Sequence, residues 1–412
     1  MLVNGDENMP SNKALTALCI IAIAFSIINI YSLSINTRIQ QEQLRELQNA
    51  LGEAEGRIRA VELALSNFTK LIDFINQSSL ETVASQLSDL KRVFESLLNQ
   101  TPGNVYESVH RSVVVIRTPI GQGSGFFYTD PTLILTNWHV VESETDIEVE
   151  FYNGERLKAS VVGTDAYADV AVIKVPSAPS DARPLNLADS SRLYIGQQVV
   201  AIGNPLGLTG SLSSGYISQT NKMIDLQPII VPVLQLDISI APGSSGGPLL
   251  DLSGGVIGIT NAGTAYGFNF AVPSNIVKRV ALSIIEKGYY RHPFVGFRGI
   301  ELNPDTIKEL NILNLDPFQT GLLIWEVLPD TPAAKAGLEG VIETQDFQGK
   351  KAYTPGDIIL AVDGHLTRTF ADWSSFIEEE VSPGQTITLT LWRSGQNVSV
   401  EITTTAREAY GG

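Results

Sequence analysis

The chain has 412 residues, 43% of them hydrophobic, and a formal net charge of −16. It is too apolar for a disordered polypeptide and long enough for two globular domains. Its acidity excludes the basic face that nucleic-acid binding needs and disfavours adsorption to anionic lipid. The single cysteine, Cys19, rules out an intrachain disulfide and reads as an apolar filler.

Residues 1–13 are polar and read as a disordered tail. Residues 14–35 carry no charge, and about 20 apolar residues span a bilayer core as a helix. They are expected to form a transmembrane anchor. A cleaved signal peptide is the rival reading, with Ser32-Leu33-Ser34 as a small-residue site. The length of the run and the helical pattern after it favour an anchor. Lys13 before the span and Arg38 and Arg45 after it leave its orientation open.

Residues 36–100 read as a helical stalk. Leu44, Leu47, Leu51, Ala54, Ile58, Val61, Leu65, Phe68, Ile72 and Ile75 alternate steps of three and four, the seam of a left-handed coiled coil. A single amphipathic helix packed on a domain is the alternative. The seam breaks at Gln77-Ser78-Ser79, where Ser78 and Glu81 have the form of a capping box. A second apolar set runs from Leu80 to Leu97 in a new register, and Asn99-Gln100-Thr101-Pro102-Gly103 reads as a linker.

Beyond it, short β-branched and aromatic runs recur between Gly, Pro and Asp turns: Val113 to Arg117, Gly125 to Tyr128, Leu133 to Thr136, Ile147 to Tyr152, Lys158 to Val162, Val170 to Val175 and Gln198 to Ile202. Many short strands without helical period predict two packed antiparallel barrels, closed by a helix from Asn275 to Gly288. Three motifs fall at strand ends: Thr136-Asn137-Trp138-His139-Val140-Val141, Asp165 to Ile173, and Ala241-Pro242-Gly243-Ser244-Ser245-Gly246-Gly247-Pro248-Leu249. A histidine, an aspartate and a glycine-flanked serine are the parts of a base, orienting acid and nucleophile relay.

These motifs resemble the TNxHVV, DxxxDLAVIK and GNSGGPL patterns of the HtrA (Deg) family of trypsin-fold serine proteases. The similarity runs from about Val105 to the C-terminus, roughly three-quarters of the chain. It implies a mainly β architecture, with a trypsin-like double barrel over 104–290 and His139, Asp169 and Ser245 as the catalytic residues. Asp169 rather than Asp165 precedes the Val-Ala-Val run; Asp165 shapes the turn. Backbone N–H groups of Gly243 and Ser245, helped by Ser244, would form the oxyanion hole. Ser244 and Trp138 each replace the asparagine usual in the family. The first need not harm a main-chain hole; the second either narrows the cleft or covers surface. Ser239 and Ile240 would line the specificity pocket, whose lack of charge argues against Arg or Lys preference. Ile259, Thr260 and Asn261 would offer an edge for substrate backbone. Residues 203–207 and 211–219 resemble the family's mobile activation loops, and the long regulatory insertion of some members is absent between Thr118 and Gly125.

Residues 293–408 resemble a PDZ domain, in which Phe294, Val295, Gly296 and Phe297 would bind a peptide C-terminal carboxylate. The whole implies a membrane-anchored endopeptidase with its catalytic domain on the periplasmic or cell-surface side. It would act on unfolded or mislocalised proteins, as a homotrimer, with no metal or cofactor. A holdase or a PDZ scaffold with little proteolysis is the alternative.

Overall fold

A computed structural model describes residues 100–204, 210–224, 229–261 and 269–407, with helical residues between 41 and 92 that are continuous over 54–71 and 84–92. The chain divides into two compact units, residues 1–96 and 97–412. In the first unit the seam positions Leu44, Leu51, Ile58 and Leu65 lie exposed on the single chain. The anchor expected over 14–35 and the capping box at Ser78 lie outside the described residues. Among the described residues no helix is long and apolar enough to cross a membrane.

The second unit opens on α1 (Pro102–Val109), begun by residues that read as a linker. Thr101 caps it by accepting the Asn104 N–H at 3.3 Å, and Pro102 supplies its first turn with a fixed φ and no orphan donor. Strands β1 (Val113–Thr118), β2 (Gly121–Tyr128) and β3 (Asp130–Thr136) follow, then the short helix α2 (Trp138–Val141). Strands β4 (Ile147–Glu150), β5 (Arg156–Asp165) and β6 (Val170–Lys174) complete a closed barrel in the order β1-β2-β3-β6-β5-β4. A second closed barrel uses β7 (Gln198–Gly203), β8 (Ser211–Lys222), β9 (Val233–Asp237), β10 (Pro248–Leu250), β11 (Val256–Asn261) and β12 (Asn269–Pro273), ordered β10-β11-β12-β9-β8-β7.

The alternation of strand faces sorts the core. Phe127 points into the first barrel with Ile116, Ile134 and Phe151. Its neighbour Phe126 points the other way, into a cluster shared with Val200, Val272 and Ile284. That shared cluster lies on both barrels and on α3 (Ser274–Lys287), whose buried face is Ile276, Val277, Val280, Ala281 and Ile284. Gly288, in the left-handed region at φ +85°, ends α3.

The chain then forms β13 (Pro293–Phe294), β14 (Phe297–Leu302), α4 (Pro304–Glu309), β15 (Gly321–Val327), α5 (Pro332–Lys335), β16 (Ile342–Gln345), β17 (Lys351–Thr354), β18 (Ile358–Val362), β19 (His365–Leu366), α6 (Phe370–Glu380), β20 (Thr386–Arg393), β21 (Gln396–Thr403) and β22 (Thr405–Ala406). The main sheet runs β14-β15-β18-β20-β21, with β19 paired to β18. Its core includes Leu322, Ile324, Ile359, Leu389 and Ile377 of α6. Asp357, fully buried, receives Arg393 Nε and Nη2 at 2.6 Å each and the Glu339 N–H at 2.8 Å. Arg393→Met would leave that carboxylate without its cation, and such breaks cost about 3 kcal/mol or more. Urea unfolding followed by tryptophan fluorescence should show the loss.

Candidate active site

Asp169 is 1% exposed, so its carboxylate must find its partners inside the protein. Its Oδ1 accepts the His139 backbone N–H at 3.0 Å, and the His139 Nδ1 lies 3.0 and 2.9 Å from Oδ1 and Oδ2. Asn261 Nδ2 donates to Oδ2 at 2.7 Å, and Asn137 Nδ2 donates to the Asp169 backbone carbonyl at 2.9 Å. Asp169 adopts φ +52°, a left-handed conformation unusual for a side-chain-bearing residue. The turn before it is closed by the Asp169 N–H on the Ala166 carbonyl at 3.3 Å and by the Ala168 N–H on Asp165 Oδ1 at 2.7 Å. Asp165 thus shapes the turn, as expected of it.

The His139 imidazole sits on α2 with its side chain 39% exposed. Partial burial opposes its charged form, but the Asp169 hydrogen bond, the Asp169 charge and Glu142 outweigh burial and raise its pKa above the ordinary value. Held at Nδ1 by a carboxylate, the ring keeps Nε2 for proton transfer.

Ser245 is buried in the glycine-rich turn. Ala241 to Ser244 form a type II turn: the Ser244 N–H donates to the Ala241 carbonyl at 3.0 Å, Pro242 fixes the second position, and Gly243 has φ +96°. The Ser244 N–H is therefore engaged within the turn. Ser124 ties this turn to the first barrel, its N–H donating to the Ser245 carbonyl and its Oγ to the Gly243 carbonyl, both at 2.7 Å. At Gly123 a Cβ would lie 2.6 Å from Val140 Cγ1 and 3.1 Å from the Ser245 carbonyl. The absent side chain is what lets the histidine-bearing helix and the serine turn approach each other.

Residues expected to hold substrate are placed differently. Ile240 packs in the second barrel's interior, whereas Ser239 stays exposed. Ile259 belongs to the shared core, and Thr260 is bonded on one side to the serine turn, its N–H on the Gly247 carbonyl and its own carbonyl accepting from Gly246, both at 2.9 Å, with β12 paired on the other side. Neither is a free edge; Asn261 instead orients Asp169, a role that only a contact across 92 positions reveals. Residues 211–219, expected as a mobile loop, lie in β8, bonded to β7 and β9.

In the C-terminal sheet domain, Phe294 pairs with Thr405, Val295 enters the core, and Gly296 takes φ +96° where a Cβ would strike Thr331. This loop, with Phe370, Trp373 and Ile377 of α6, lines a cavity of about 310 Å³. Ile229 and Ile230 of the preceding domain line it too. The sequence reading missed α6, although Thr369 and Asp372 form a reciprocal capping box at its start. Among the described residues no cluster of His, Cys, Asp and Glu could hold a metal.

The barrels and the sheet domain define a trypsin-like peptidase joined to a PDZ domain. Family profiles described as "Trypsin-like peptidase domain" and "PDZ domain" match residues 123–259 and 293–404. The chain is 30% identical over 344 residues to "Periplasmic pH-dependent serine endoprotease DegQ" of Escherichia coli, covering 81% of this chain and 68% of that one. It is 36% identical to "Probable periplasmic serine endoprotease DegP-like" of Halomonas elongata, covering 68% of this chain and 56% of the relative. A DegP-like relative of Bartonella henselae is 32% identical, with 80% and 61% covered. The chain thus spans 56% and 61% of the length of these last two relatives. A solved structure titled "HtrA-type protease AlgW with decapeptide" superposes with a TM-score of 0.57 at 26% identity, covering 74% of this chain and 99% of that one. The chain belongs to the HtrA (Deg) family of trypsin-fold serine proteases with a PDZ domain.

Gly246 has φ +87°, and a Cβ there would lie 2.2 Å from both the Ser124 carbonyl and Thr136 Oγ1. Gly254 has φ +86° but no neighbour nearer than 3.8 Å. Gly254→Ala should cost about 1 kcal/mol, the conformational penalty alone. Gly246→Ala should cost about 3 kcal/mol, because steric overlap adds to it. Paired thermal unfolding curves test the difference.

Proposed function

We propose that the chain is a serine endopeptidase working through an acyl-enzyme at Ser245. The observation that carries this reading is the buried Asp169 carboxylate bonded to Nδ1 of His139, on a helix that meets the Ser245 turn at Gly123. His139 would take the Ser245 proton during attack on the scissile carbonyl and return it to the leaving amine. Asp169 would hold the tautomer and steady the imidazolium. With the Ser244 N–H engaged on Ala241, the oxyanion would fall to Gly243 and Ser245.

The PDZ groove between the Phe294–Phe297 loop and α6 would receive peptide C-termini, supported by its aromatic lining. The substrates would be unfolded or mislocalised proteins outside the cytoplasm, in keeping with relatives named as periplasmic. Residues 14–35 would tether the chain to the membrane, and the exposed seam of residues 44–65 would pair with further copies in a homotrimer.

A fluorophosphonate should label Ser245 of the full chain; absence of labelling would favour the holdase alternative. Ser245→Ala should lower peptide turnover by around a millionfold. Only a neutral His139 can act as base, and its pKa is raised. The labelling rate should therefore climb with pH through a midpoint above the usual histidine value and be lost on acidification. A rate that is flat from pH 5 to 8 would argue against His139 as the base.

A further inference from the structure

His292, in the connection between α3 and β13, is 3% exposed. Its Nδ1 lies 2.7 Å from Glu378 Oε2 of α6, and its Nε2 lies 3.0 Å from both carboxylate oxygens of Asp165 at the end of β5. Asp165 and Glu378 are also buried, at 6% and 3% exposure. A neutral imidazole has one donor and one acceptor, and ionised carboxylates only accept. Between two ionised carboxylates, only the imidazolium satisfies both contacts at once. Tyr290 and Tyr167 pack edge-on against the ring, at 4.8 and 5.4 Å between centroids.

Asp165 begins the turn that ends in Asp169. Its Oδ1 holds the Ala168 N–H, and the Tyr167 carbonyl accepts from the Ile230 N–H at 3.0 Å. Ile230 in turn accepts Ser374 Oγ of α6 at 3.3 Å. The helix that walls the peptide groove therefore reaches the aspartate turn twice, once by charge through His292 and once through Ile230.

We propose that His292 is a positioning residue for peptide cleavage, a buried cation that ties α6 of the PDZ groove to the Asp165 turn and so holds Asp169 against His139. This rests on the protease reading above. With His292 neutral or removed, Asp165 would be a buried anion without its cation, and the left-handed turn would lose an anchor.

The charged and titratable groups around the ring are Asp165, Glu378, Tyr167, Tyr290 and Arg407, with Arg279 and Glu379 one layer further out. Arg407 donates its backbone N–H to the His292 carbonyl and lays its guanidinium 5.9 Å over Tyr167. Burial pushes the Tyr290 hydroxyl up to about 12, so it stays neutral. For His292, burial opposes the charge, but Glu378 and Asp165 outweigh it and bring the pKa to about 9. A raised folded pKa means that the clamp is fully present below the unfolded value near 6.5 and is lost as pH rises through about 9.

The test uses the full chain and the fluorophosphonate labelling rate at Ser245, from pH 6 to 10, with thermal unfolding in parallel. The unsubstituted chain should lose labelling with an alkaline limb near pH 9. His292→Gln, assayed where it is folded, should label roughly tenfold more slowly at neutral pH and lack that limb. Glu378→Gln, which removes one charge and keeps a hydrogen-bonding group, should shift the limb to lower pH. If His292→Gln does not fold, the shift in Glu378→Gln decides, and an unmoved limb overturns the proposal. Labelling rates unchanged in His292→Gln, with only the unfolding temperature lowered, would overturn positioning and leave the protease reading intact. No labelling of Ser245 in the unsubstituted chain would overturn the protease reading and this one with it.

Discussion

A carboxylate sealed from water forces the arrangement of everything around it. Asp169 cannot be left unpaired without a cost of several kcal/mol, so its donors must arrive from separate parts of the chain. They come from the start of α2, from the end of β11 and, on the backbone side, from Asn137 after β3. The Asn137–His139 stretch and the end of β11 can meet at Asp169 only if both barrels close in register. The left-handed Asp169 backbone is held within the same network, so satisfying the charge and fixing the turn are one event.

Ser124 has the complementary role on the Ser245 side. One residue of β2 donates twice to the Ser245 turn and accepts the Asn204 N–H at 2.9 Å on its Oγ, while its carbonyl accepts Thr136 Oγ1 at 2.7 Å. Thr260 braces the turn from the other barrel, its Oγ1 at 2.9 Å from the Ser244 carbonyl. The serine turn is thus gripped by backbone and hydroxyl contacts on two sides. Such contacts tolerate no side chain at Gly246 and little at Gly203, where a Cβ would meet Ser244 at 2.7 Å. The glycines of the motif serve close approach as much as flexibility.

The barrels were legible wherever β-branched and aromatic residues cluster. Val113 to Arg117 read as a strand and is one, one residue longer. Strand β2 was caught only from Gly125, because Gly121 and Gly123 carry no β signal, and Gly123 is there for its close approach to α2 and Ser245. Strand β8 was missed, since Ser, Gly and Thr fill much of it and only Ile217 is fully buried. Its pairing to β7 and β9 is imposed by barrel closure rather than local preference. The His-Asp-Ser order was visible because each residue sits in a short dense motif. Asn261 and His292 were not, because their partners lie roughly 90 to 130 positions away and no local spacing encodes such a meeting.

The contact between the two domains is built unlike either core. Helix α6 is held at its C-terminal end by Arg279, which donates to the Glu379 and Val381 carbonyls at 2.6 and 2.5 Å. It is held in its middle by Ser375 on Asn221 at 2.6 Å and by Ser374 on the Ile230 carbonyl, and near its end by Glu378 on His292. A cation meeting the open carbonyls of a helix C-terminus also complements the helix dipole. Apolar burial is non-directional and would let the helix slide while keeping most of its energy. Hydrogen bonds and buried ion pairs weaken steeply with angle and distance, and a buried pair gives little net stability beyond its desolvation cost. An interface made this way fixes the orientation of the groove helix without locking it irreversibly. That combination suits the joint proposed for His292, which would transmit position between domains rather than simply hold them together.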